Sequence, residues 1–589
     1  MSIYNEKPWL KYYDPGMPPS LAPYKPVAMH QLLEETAQKY PNNIATITSA
    51  HLPVLGRVSA ELTWKEIDEA ASKLAAGLAA MGMKKGDVVA IIMPNCVQFI
   101  IAFFGILKAG GIVSATNPTY PPDKMAYQID NSQAKFVIAV TLFYEMFKSI
   151  QSKTKVEKVI VSRFKEYLPP AARTLFTLAR EKKSGHFLAD VQPGDVWFQD
   201  ILAQYKASDQ PKLSFNPAED IAIFQYTGGT TGVSKGAMST HTALVANCTA
   251  IQRWLSSGDV SKERLVGAIP FFHVYGMVAV VLFGASSGAS IAIVPNARDI
   301  TDLLQVIDKF KPTIFSGVPA LYNAINNHPL VKEKKVSLSS LRYCTSGSAP
   351  LPPDVKFKFE EMTGVNILEG FGMSECPTVT HFNPLGRPGK LQSIGVPLPD
   401  VECRLVSLDD SVTDVPQGEP GELIIRGPNI MKGYLGMPTE TTNALRDLGD
   451  GGAPWLYTGD IAYMDEEGYF FIVDRKKDMA LIGGFNVYPT VIEKTLAEHP
   501  AVMEVGVAAI PHPEKEGQEA LLACIVVRPG HEANDALKKD LIEFQSKKLA
   551  QYEVARRIVF VPELPKTAVG KTLRRELAKL AAEVEVVRT

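Results

Sequence analysis

The chain has 589 residues, with 61 basic and 63 acidic side chains and a formal net charge of −2 at pH 7. That length exceeds what one hydrophobic core usually organises, so at least two domains are expected. The balanced charge excludes a general attraction to nucleic acid or to anionic lipid, so any anionic ligand must be bound at a local site.

The cysteines and the apolar segments indicate where such a protein resides. Six cysteines are scattered along the chain, with no Cys-x-x-Cys pair and no Cys/His cluster. This disfavours disulfides and structural zinc and favours a reducing compartment. The first 19 residues lack the apolar run of a secretory signal. Residues 265–297 are long and apolar enough to span a bilayer, but Pro270, Gly284 and Gly288 interrupt them. We therefore interpret them as a buried helix and a buried strand, and expect a cytoplasmic protein.

Up to about residue 470, short apolar strands alternate with helical patterns. Thr63 is a candidate N-cap for the first clear helix, which Gly82 ends. The predicted elements, in chain order, are a helix over 64–81, a strand over 88–93, a helix over 97–109, and strands over 136–140 and 221–226. This alternation predicts mostly parallel sheets covered by helices, an α/β fold.

Two segments depart from this pattern. Residues 164–187 are basic and partly amphipathic, which is typical either of a surface helix that touches lipid or, more often, of a solvated insertion. The basic residues are Arg163, Lys165, Arg173, Arg180, Lys182 and Lys183. From about Asp474 the chain becomes a smaller α+β region. Its predicted strands cover 505–509 and 521–527, and its predicted helices cover 490–498 and 534–550.

The strongest local signal follows the strand over 221–226. The decapeptide reads Thr227-Gly228-Gly229-Thr230-Thr231-Gly232-Val233-Ser234-Lys235-Gly236. Glycines let backbone N–H groups turn towards an anion, hydroxyls add donors, and Lys235 adds positive charge. A solvated Gly/Thr turn is a poorer explanation of so many donors directly after a strand. The spacing differs from a Walker A loop, because Lys235 follows a serine and precedes a glycine.

This loop resembles the phosphate loop of the acyl-adenylate-forming superfamily, which includes acyl-CoA synthetases, firefly luciferase and nonribosomal peptide synthetase adenylation domains. Gly228 replaces the usual serine, which removes one hydroxyl donor and keeps the backbone cradle. The resemblance implies a large N-terminal AMP-binding domain (1–474) of mostly parallel sheets with a distorted barrel. It also implies a small mobile C-terminal domain (475–589). It assigns ATP binding to Thr227, Gly228, Gly229, Thr230, Thr231, Gly232 and Lys235, with Thr230 also catalytic and near the metal.

Further motifs occur in the order of the superfamily. Pro270-Phe271-Phe272-His273-Val274-Tyr275-Gly276 resembles the segment that lines the acyl pocket. A lone histidine is more often a satisfied core residue, but its place after the phosphate loop favours a catalytic position near the carboxylate for His273. The acyl pocket is expected to include His273, Val274, Tyr275, Gly276 and Gly317.

Two motifs are expected around the nucleotide base and its phosphates. Ser346-Gly347-Ser348-Ala349-Pro350-Leu351 resembles the turn beside adenine, with Gly347, Ser348 and Ala349 as contacts. Glu369-Gly370-Phe371-Gly372-Met373-Ser374-Glu375 is more specific. The resemblance places Glu369, Gly370, Phe371 and Gly372 at the nucleotide, with Phe371 on the adenine face, Ser374 at a phosphate oxygen and Glu375 on Mg²⁺. A carboxylate beside a triphosphate is repulsive unless a hard cation lies between them.

The remaining motifs concern the ribose, the domain hinge and catalysis. Tyr457-Thr458-Gly459-Asp460 and Asp474-Arg475-Lys476-Lys477-Asp478 match superfamily motifs. They imply that Asp460 accepts hydrogen bonds from both ribose hydroxyls, that Arg475 contacts the nucleotide, and that Lys477 is the hinge. Gly483 and Gly484 are implied to line the CoA channel. Lys571, in Pro565-Lys566-Thr567-Ala568-Val569-Gly570-Lys571, matches the catalytic lysine.

The resemblance is strongest to bacterial long-chain fatty acyl-CoA synthetases, through residues 114–121 and 458–489. It implies fatty acid, ATP and CoA as substrates, with Mg²⁺ as cofactor. Expected tunnel walls are residues 275–283 and 315–321. Medium-chain or aromatic acids, or a carrier-protein acceptor, remain alternatives, as does a non-catalytic nucleotide-binding or lipid-surface scaffold. Peripheral contact with the inner face of the membrane and a homodimer are left open by the sequence.

Overall fold

The computed structural model describes residues 3–52, 55–227, 234–255, 258–482, 485–512, 518–566 and 572–588. Its helices are α1 (Ile3–Glu6), α2 (Met29–Lys39), α3 (Trp64–Ala80), α4 (Val97–Lys108), α5 (Pro122–Asn131), α6 (Thr141–Ile150), α7 (Pro170–Leu175), α8 (Phe198–Gln204), α9 (His241–Trp254), α10 (Val274–Gly276), α11 (Phe283–Ser287), α12 (Ile300–Phe310), α13 (Pro319–Asn327), α14 (Pro329–Lys332), α15 (Pro353–Thr363), α16 (Pro438–Ala444), α17 (Pro489–Ala497), α18 (Asp535–Ser546) and α19 (Leu577–Arg588).

The strands are β1 (Ile44–Leu52), β2 (Gly56–Thr63), β3 (Val88–Ile92), β4 (Ile112–Ala115), β5 (Phe136–Val140), β6 (Lys158–Ser162), β7 (Val196–Trp197), β8 (Ile221–Tyr226), β9 (Gly236–Thr240), β10 (Arg264–Gly267), β11 (Ser290–Ile293), β12 (Ile314–Gly317), β13 (Tyr343–Ser346), β14 (Ile367–Met373), β15 (Cys376–Phe382), β16 (Val396–Pro397), β17 (Glu402–Val406), β18 (Gly421–Arg426), β19 (Leu445–Arg446), β20 (Trp455–Met464), β21 (Phe470–Arg475), β22 (Ala480–Ile482), β23 (Phe485–Val487), β24 (Val502–Pro511), β25 (Glu519–Val527) and β26 (Arg557–Phe560).

Two large sheets dominate the N-terminal part. One has seven strands in the order β7-β6-β5-β3-β4-β8-β9, and the other has nine in the order β16-β15-β14-β13-β12-β10-β11-β1-β2. Neighbouring strands in the middle of both sheets are parallel, whereas β9, β2, β15 and β16 pair antiparallel at the edges. Every residue of α4 is buried, and its core cluster includes side chains from both sheets. The α/β prediction is confirmed.

Local sequence accounts for many of the element boundaries. Thr63 caps α3 in a capping box with Glu66, as the sequence predicts. Residues 265–297 form β10, a helical stretch from α10 through a π-helical turn (Met277–Leu282) to α11, and then β11. Within the described ranges, none of the helices combines the length and the apolar character needed to cross a membrane. All six cysteines are buried as free thiols.

A third sheet is antiparallel, with β17-β18-β20-β19 in order and β21 beside β20. The distorted barrel that the resemblance implies stays a prediction. The predicted boundary at residue 474 falls inside β21, which pairs with β20 up to Arg475. The division into domains at this residue stays a prediction, although the packing changes a few residues further on.

The C-terminal part has a core of its own. Its sheet, β24-β25-β26, alternates side chains between two faces, as a strand must. Leu521, Ala523 and Ile525 pack in one cluster with residues of α17 and α18. Leu522, Cys524 and Val526 pack in another with residues of α19. The sequence predicted β24, β25, α17 and α18, but not β26 or the β22–β23 pair.

Candidate functional site

A large cavity lies where the parallel strands of both large sheets end. It has a volume of about 910 Å³. Thr227 follows β8, Gly347 and Ser348 follow β13, and Ser374 follows β14, and all four line the cavity. Carboxyl ends of parallel strands meet at one edge of a sheet, which is where α/β proteins generally bind ligands. Segments that are far apart in sequence therefore share one site.

The lining of this cavity is rich in cationic side chains. Among the residues that the structure describes, its lining includes one carboxylate, Glu375, and eight cationic side chains. These cations are Lys124, Lys235, Arg298, Arg475, Lys476, Lys477, Lys566 and Arg575. A chain of nearly neutral overall charge thus concentrates positive charge at one place, as binding of a polyphosphate requires.

The predicted phosphate loop connects two antiparallel strands, β8 and β9, rather than a strand and a helix. The Thr227 N–H donates to the Lys235 carbonyl at 2.9 Å, and the Ser234 hydroxyl donates to the Thr227 carbonyl at 2.5 Å. These bonds close the base of the loop. Of the predicted loop contacts, Gly228, Gly229, Thr230, Thr231 and Gly232 lie outside the described residues, whereas Thr227 and Lys235 line the cavity.

Lys235 is held by residues that the sequence analysis did not single out. Its ammonium forms an ion pair with Glu440 of α16 and lies 5.1 Å from the ring centroid of Tyr434. Antiparallel pairing of Tyr434 with Ala237 of β9 brings this ring to the base of the loop. The Glu440 carboxylate therefore offsets the charge of Lys235 at the base of the loop.

Glu375 has the surroundings of a carboxylate that shares a cation with phosphate. It is 8% exposed, and the Tyr434 hydroxyl donates to its Oε1 at 2.7 Å. In the described part of the chain, no group of three or more acidic, histidine or cysteine side chains could hold a metal by itself. Mg²⁺ usually takes one or two carboxylates together with substrate phosphates, so Glu375 beside a phosphate loop fits this ion.

The predicted ribose residues, Asp460 and Arg475, face each other across the β20–β21 pair. Arg475 Nε lies 3.1 Å from Asp460 Oδ1, and this contact is the main cause of the raised pKa of Arg475. Asp460 Oδ2 is buried without a hydrogen-bond partner among the described residues. A buried acceptor of this kind costs free energy unless a ligand donates to it, as ribose hydroxyls would.

The predicted adenine motif contributes most, but not all, of its residues to the cavity wall. Gly347, Ser348, Gly370, Phe371, Gly372 and Ser374 line it. Glycine is required at position 372, since a Cβ there would lie 1.5 Å from the Thr378 carbonyl oxygen of β15. Ala349 and Glu369 do not line the cavity, and their assignment to the nucleotide stays a prediction. Glu369 Oε2 instead accepts the Leu351 N–H at 3.2 Å and so supports the adjacent turn.

His273 lines the cavity as a neutral imidazole. Burial lowers its pKa to about 4, so it carries no charge near neutral pH. Its Nδ1 accepts the Tyr275 N–H at 3.2 Å, which leaves the proton on Nε2. His273 is thus able to donate a hydrogen bond to a carboxylate but not to neutralise its charge.

Part of the predicted acyl pocket lines this cavity. Val274, Tyr275 and Ala279 line the cavity, but Gly276 and Gly317 do not. A Cβ on Gly276 would lie 2.3 Å from the Pro270 carbonyl oxygen, and one on Gly317 would lie 2.7 Å from the Tyr322 ring. Both glycines therefore serve close packing behind the wall.

The apolar wall comes largely from elements that the sequence analysis missed. Of residues 315–321 only Ser316 lines the cavity, since β12 turns Phe315 into the core beside α13. The additional apolar residues come from α9 and its end, β12, β15 and the segment after β16: Ile251, Trp254, Leu255, Ile314, Val379, Phe382 and Leu398. A helix face that looks like ordinary core carries no sequence signal for a ligand pocket.

The small domain closes one side of the cavity. Lys571, Gly483 and Gly484 lie outside the described residues. The residues flanking Lys571 on both sides, Lys566 and Leu573, line the cavity, and so does the expected hinge residue Lys477. The described residues on either side of the segment that carries Lys571 therefore lie at the same cavity as the ends of the phosphate loop.

Comparison with known proteins agrees with this architecture. The model of the AMP-binding enzyme family matches residues 33–435, and that of the AMP-binding enzyme C-terminal domain matches residues 491–571. The chain belongs to the AMP-binding enzyme family. The resemblance to the acyl-adenylate-forming superfamily is thereby confirmed.

Several relatives match this family member over nearly their whole length. A long-chain-fatty-acid–CoA ligase from Bacillus subtilis is 37% identical over 99% of both chains. A protein of the same name from Escherichia coli O6:H1 is 35% identical over 97% of this chain and 98% of its own. Among solved structures, an anthranilate CoA ligase in complex with anthranoyl-AMP has a TM-score of 0.80 at 27% identity, covering 96% of this chain and 99% of its own. ATP-bound MatB from Rhodopseudomonas palustris has a TM-score of 0.78 at 25% identity, covering 94% and 99%.

Proposed function

We propose that this protein is a long-chain fatty acid–CoA ligase that converts a fatty acid, ATP and CoA into acyl-CoA, AMP and pyrophosphate. The observation that carries the proposal is one cavity whose lining combines eight cationic side chains and several hydroxyls with a set of apolar side chains. The cationic and hydroxyl groups suit ATP and a carboxylate, and the apolar side chains suit an alkyl chain. The names of the full-length relatives favour the same substrates.

In the first half-reaction a carboxylate oxygen of the acid attacks the α-phosphorus of ATP, and pyrophosphate leaves. Both reactants are anions, so positioning and charge neutralisation make up most of the catalysis. Lys235 and the loop after Thr227 are suited to the β- and γ-phosphates, and Asp460 to the ribose. Because His273 is neutral, the charge on the attacking carboxylate must be offset by cations, including the Lys571 ammonium that the resemblance places there.

Mg²⁺ is part of the proposal. Glu375 would hold it together with phosphate oxygens, and the ion would offset charge on the pyrophosphate leaving group. Tyr434 fixes the orientation of the Glu375 carboxylate through its 2.7 Å hydrogen bond.

In the second half-reaction the CoA sulfur attacks the acyl carbon of the adenylate, and AMP leaves. Lys571 has no further role at that stage. The proposal includes rotation of the small domain about Lys477, which withdraws Lys571 and brings Gly483 and Gly484 to the cavity. Glycines suit this role because the absence of a side chain lets pantetheine pass close to the backbone.

An acid panel tests the substrate. Purified protein is assayed for AMP release with saturated acids of increasing chain length and with benzoate, each with and without CoA. Each methylene that enters an apolar tunnel gains roughly 0.8 kcal/mol, so KM should fall about fourfold per methylene until the tunnel is filled. We expect the best substrates to be long-chain acids and turnover to require CoA. A preference for benzoate or for a medium-chain acid would contradict the assignment of a long-chain substrate. Turnover with acyl carrier protein instead of CoA would mean that the carrier protein is the acceptor.

We also propose that the protein is cytoplasmic and contacts the inner face of the membrane through the insertion at residues 164–187. Leu175, Leu178 and Phe187 are 46%, 79% and 50% exposed. Beside them lie Arg180, Lys182 and Lys183, which form no ion pair with any carboxylate in the described ranges. We call these six residues the insertion surface. Leu168 and Ala172 anchor it against Leu52 of β1. Apolar side chains among unpaired cations complement an anionic bilayer, from which a fatty acid would enter.

A further inference from the structure

The packing around residues 474–480 locates the segment about which the small domain can turn. The Lys476 N–H donates to the Gly459 carbonyl at 2.8 Å, and its ammonium lies 2.8 Å from Glu422 of β18. Lys476 is thus tied to the large domain. Ala480, four residues later, is fully buried in the core of the small domain. Any rotation between the two domains must therefore be absorbed at residues 477–479, which include the expected hinge residue Lys477.

The Asp474 carboxylate accepts hydrogen bonds across this segment with both of its oxygens. Asp474 is the penultimate residue of β21, on the large-domain side, and its side chain is 1% exposed. Its Oδ2 accepts the Thr490 N–H at 2.7 Å, at the start of α17. Its Oδ1 accepts from Arg574 Nη1 at 2.6 Å. Both donors belong to the small domain, so rotation about residues 477–479 would break both bonds.

Arg574 also has partners that rotation would leave in place. Its Nη2 lies 2.6 Å from Glu493 Oε2, its Nε lies 3.1 Å from Glu493 Oε1, and Nη2 also donates to the Thr490 hydroxyl at 2.5 Å. Glu493 and Thr490 are both on α17 of the small domain. The guanidinium would therefore keep a bidentate carboxylate partner after it leaves Asp474, and no buried cation would be left uncompensated.

The position of Arg574 gives these bonds a functional consequence. It lies three residues after Lys571, between Leu573 and Arg575, which both line the cavity. The Asp474–Arg574 bond thus helps to hold Leu573 and Arg575 at the cavity wall. Rotation about residues 477–479 would separate Asp474 from Arg574.

We propose that Asp474 and Arg574 form a hinge latch, a pair of positioning residues that holds the small domain in the arrangement for adenylate formation and opens before thioester formation. The inference rests on the proposed two-step reaction. It assigns to Arg574 a role distinct from that of Lys571, since Arg574 is not among the described residues that line the cavity and acts through the placement of its neighbours.

The test separates the two half-reactions in three full-length variants, Asp474→Asn, Arg574→Ala and Arg574→Lys. Adenylation is measured by palmitate-dependent exchange between ATP and pyrophosphate, and thioester formation by release of AMP from synthetic palmitoyl-adenylate and CoA. Loss of a charge-assisted bond should slow adenylation roughly 10- to 100-fold for Asp474→Asn and Arg574→Ala. Thioester formation should stay within about twofold of the unmodified protein or become faster. Arg574→Lys should restore adenylation in part, since one ammonium cannot hold Asp474 and Glu493 in the same forked geometry.

Arg528→Ala is the matched control. Arg528 is an exposed arginine of the same domain that donates to the Val502 carbonyl and does not reach the hinge. It should leave both half-reactions unchanged. Equal losses in both half-reactions, or undiminished adenylation in Asp474→Asn, would overturn the latch. Should Arg574→Ala unfold, Asp474→Asn still decides the question, because it keeps the shape of the side chain. If the unmodified protein shows no exchange between ATP and pyrophosphate with any acid, that result would instead refute the proposed function.

Discussion

The two oxygens of the Asp460 carboxylate have different surroundings. Oδ1 lies 3.1 Å from Arg475 Nε, whereas Oδ2 is buried with no partner in the described part of the protein. The Thr458 hydroxyl accepts the Asp460 N–H at 3.1 Å and holds the backbone of this motif in place. An oriented carboxylate with one oxygen that has no partner among the described residues is suited to accept a hydrogen bond from a ligand hydroxyl.

Replacing Asp460 by asparagine tests this assignment. The variant keeps the shape but loses the charge, and a hydrogen bond to a charged group contributes about 1.5–3 kcal/mol. We expect KM for ATP to rise about 10- to 100-fold, with KM for the acid changed much less. Steady-state kinetics with each substrate varied in turn measures both constants. Asp410→Asn, in an exposed turn of the same domain, is the control and should leave both constants unchanged. An unchanged KM for ATP in Asp460→Asn would contradict the ribose assignment.

Some residues in these motifs are required by the packing of the protein rather than by the chemistry of the site. Gly372 and Gly276 stand in motifs that resemble nucleotide- and acyl-binding segments, yet both are required because neighbouring backbone leaves no space for a Cβ. Glu369 lies in the same motif as Glu375, but one carboxylate supports a turn and the other faces the cavity. Residue type alone does not distinguish these cases.

Among the elements, the insertion at 164–187 is the one whose exposed face is least explained by packing. It is a short 3-10 turn, α7 and a π-helical turn over Phe176–Arg180, rather than one long amphipathic helix. Glu181 is paired with Lys165 at 2.8 Å and points inward, so the outward face keeps the cations. The insertion surface therefore combines exposed apolar side chains with positive charge.

Vesicle binding tests the role of this surface. Each cation near an anionic bilayer contributes about 1 kcal/mol, or roughly fivefold in affinity. We expect Lys182→Gln/Lys183→Gln to weaken co-sedimentation with phosphatidylglycerol-containing vesicles by at least tenfold. Binding to pure phosphatidylcholine vesicles should be weak for all forms of the protein. The matched control is Lys332→Gln/Lys334→Gln, which removes two exposed lysines elsewhere in the large domain. Equal binding by both double variants would exclude the insertion as the membrane contact.

At the scale of the whole molecule, the arrangement of the two domains completes the site. The phosphate loop emerges from the seven-stranded sheet, the adenine motif from the nine-stranded sheet and the ribose motif from the antiparallel sheet. The small domain adds Lys566, Leu573 and Arg575 to the same cavity. Adenylate formation is thus expected to depend on the closed arrangement of the domains.

Substitution of Lys571 by alanine tests this dependence. Removing a preorganised donor at a developing charge typically costs about 10²–10³ in rate, so acid-dependent exchange between ATP and pyrophosphate should fall by that factor. Thioester formation from supplied palmitoyl-adenylate should be largely kept, since Lys571 is withdrawn in that step. Lys579→Ala, in α19 with a side chain that is 74% exposed, should change neither rate. Comparable losses in both steps of Lys571→Ala would refute the account of a moving domain.

The sequence by itself determined the chemistry of the separate motifs, the α/β alternation and the presence of two domains. These are local properties, because spacing, backbone requirements and hydrophobic periodicity act over a few residues. Only the tertiary structure decided which residues meet. Three of these contacts join segments that are far apart along the chain. They are the pairing of Glu440 with Lys235, the apolar wall from α9 and β15, and the contact of Asp474 with Arg574. Such contacts depend on sheet order and domain packing, which no local pattern encodes.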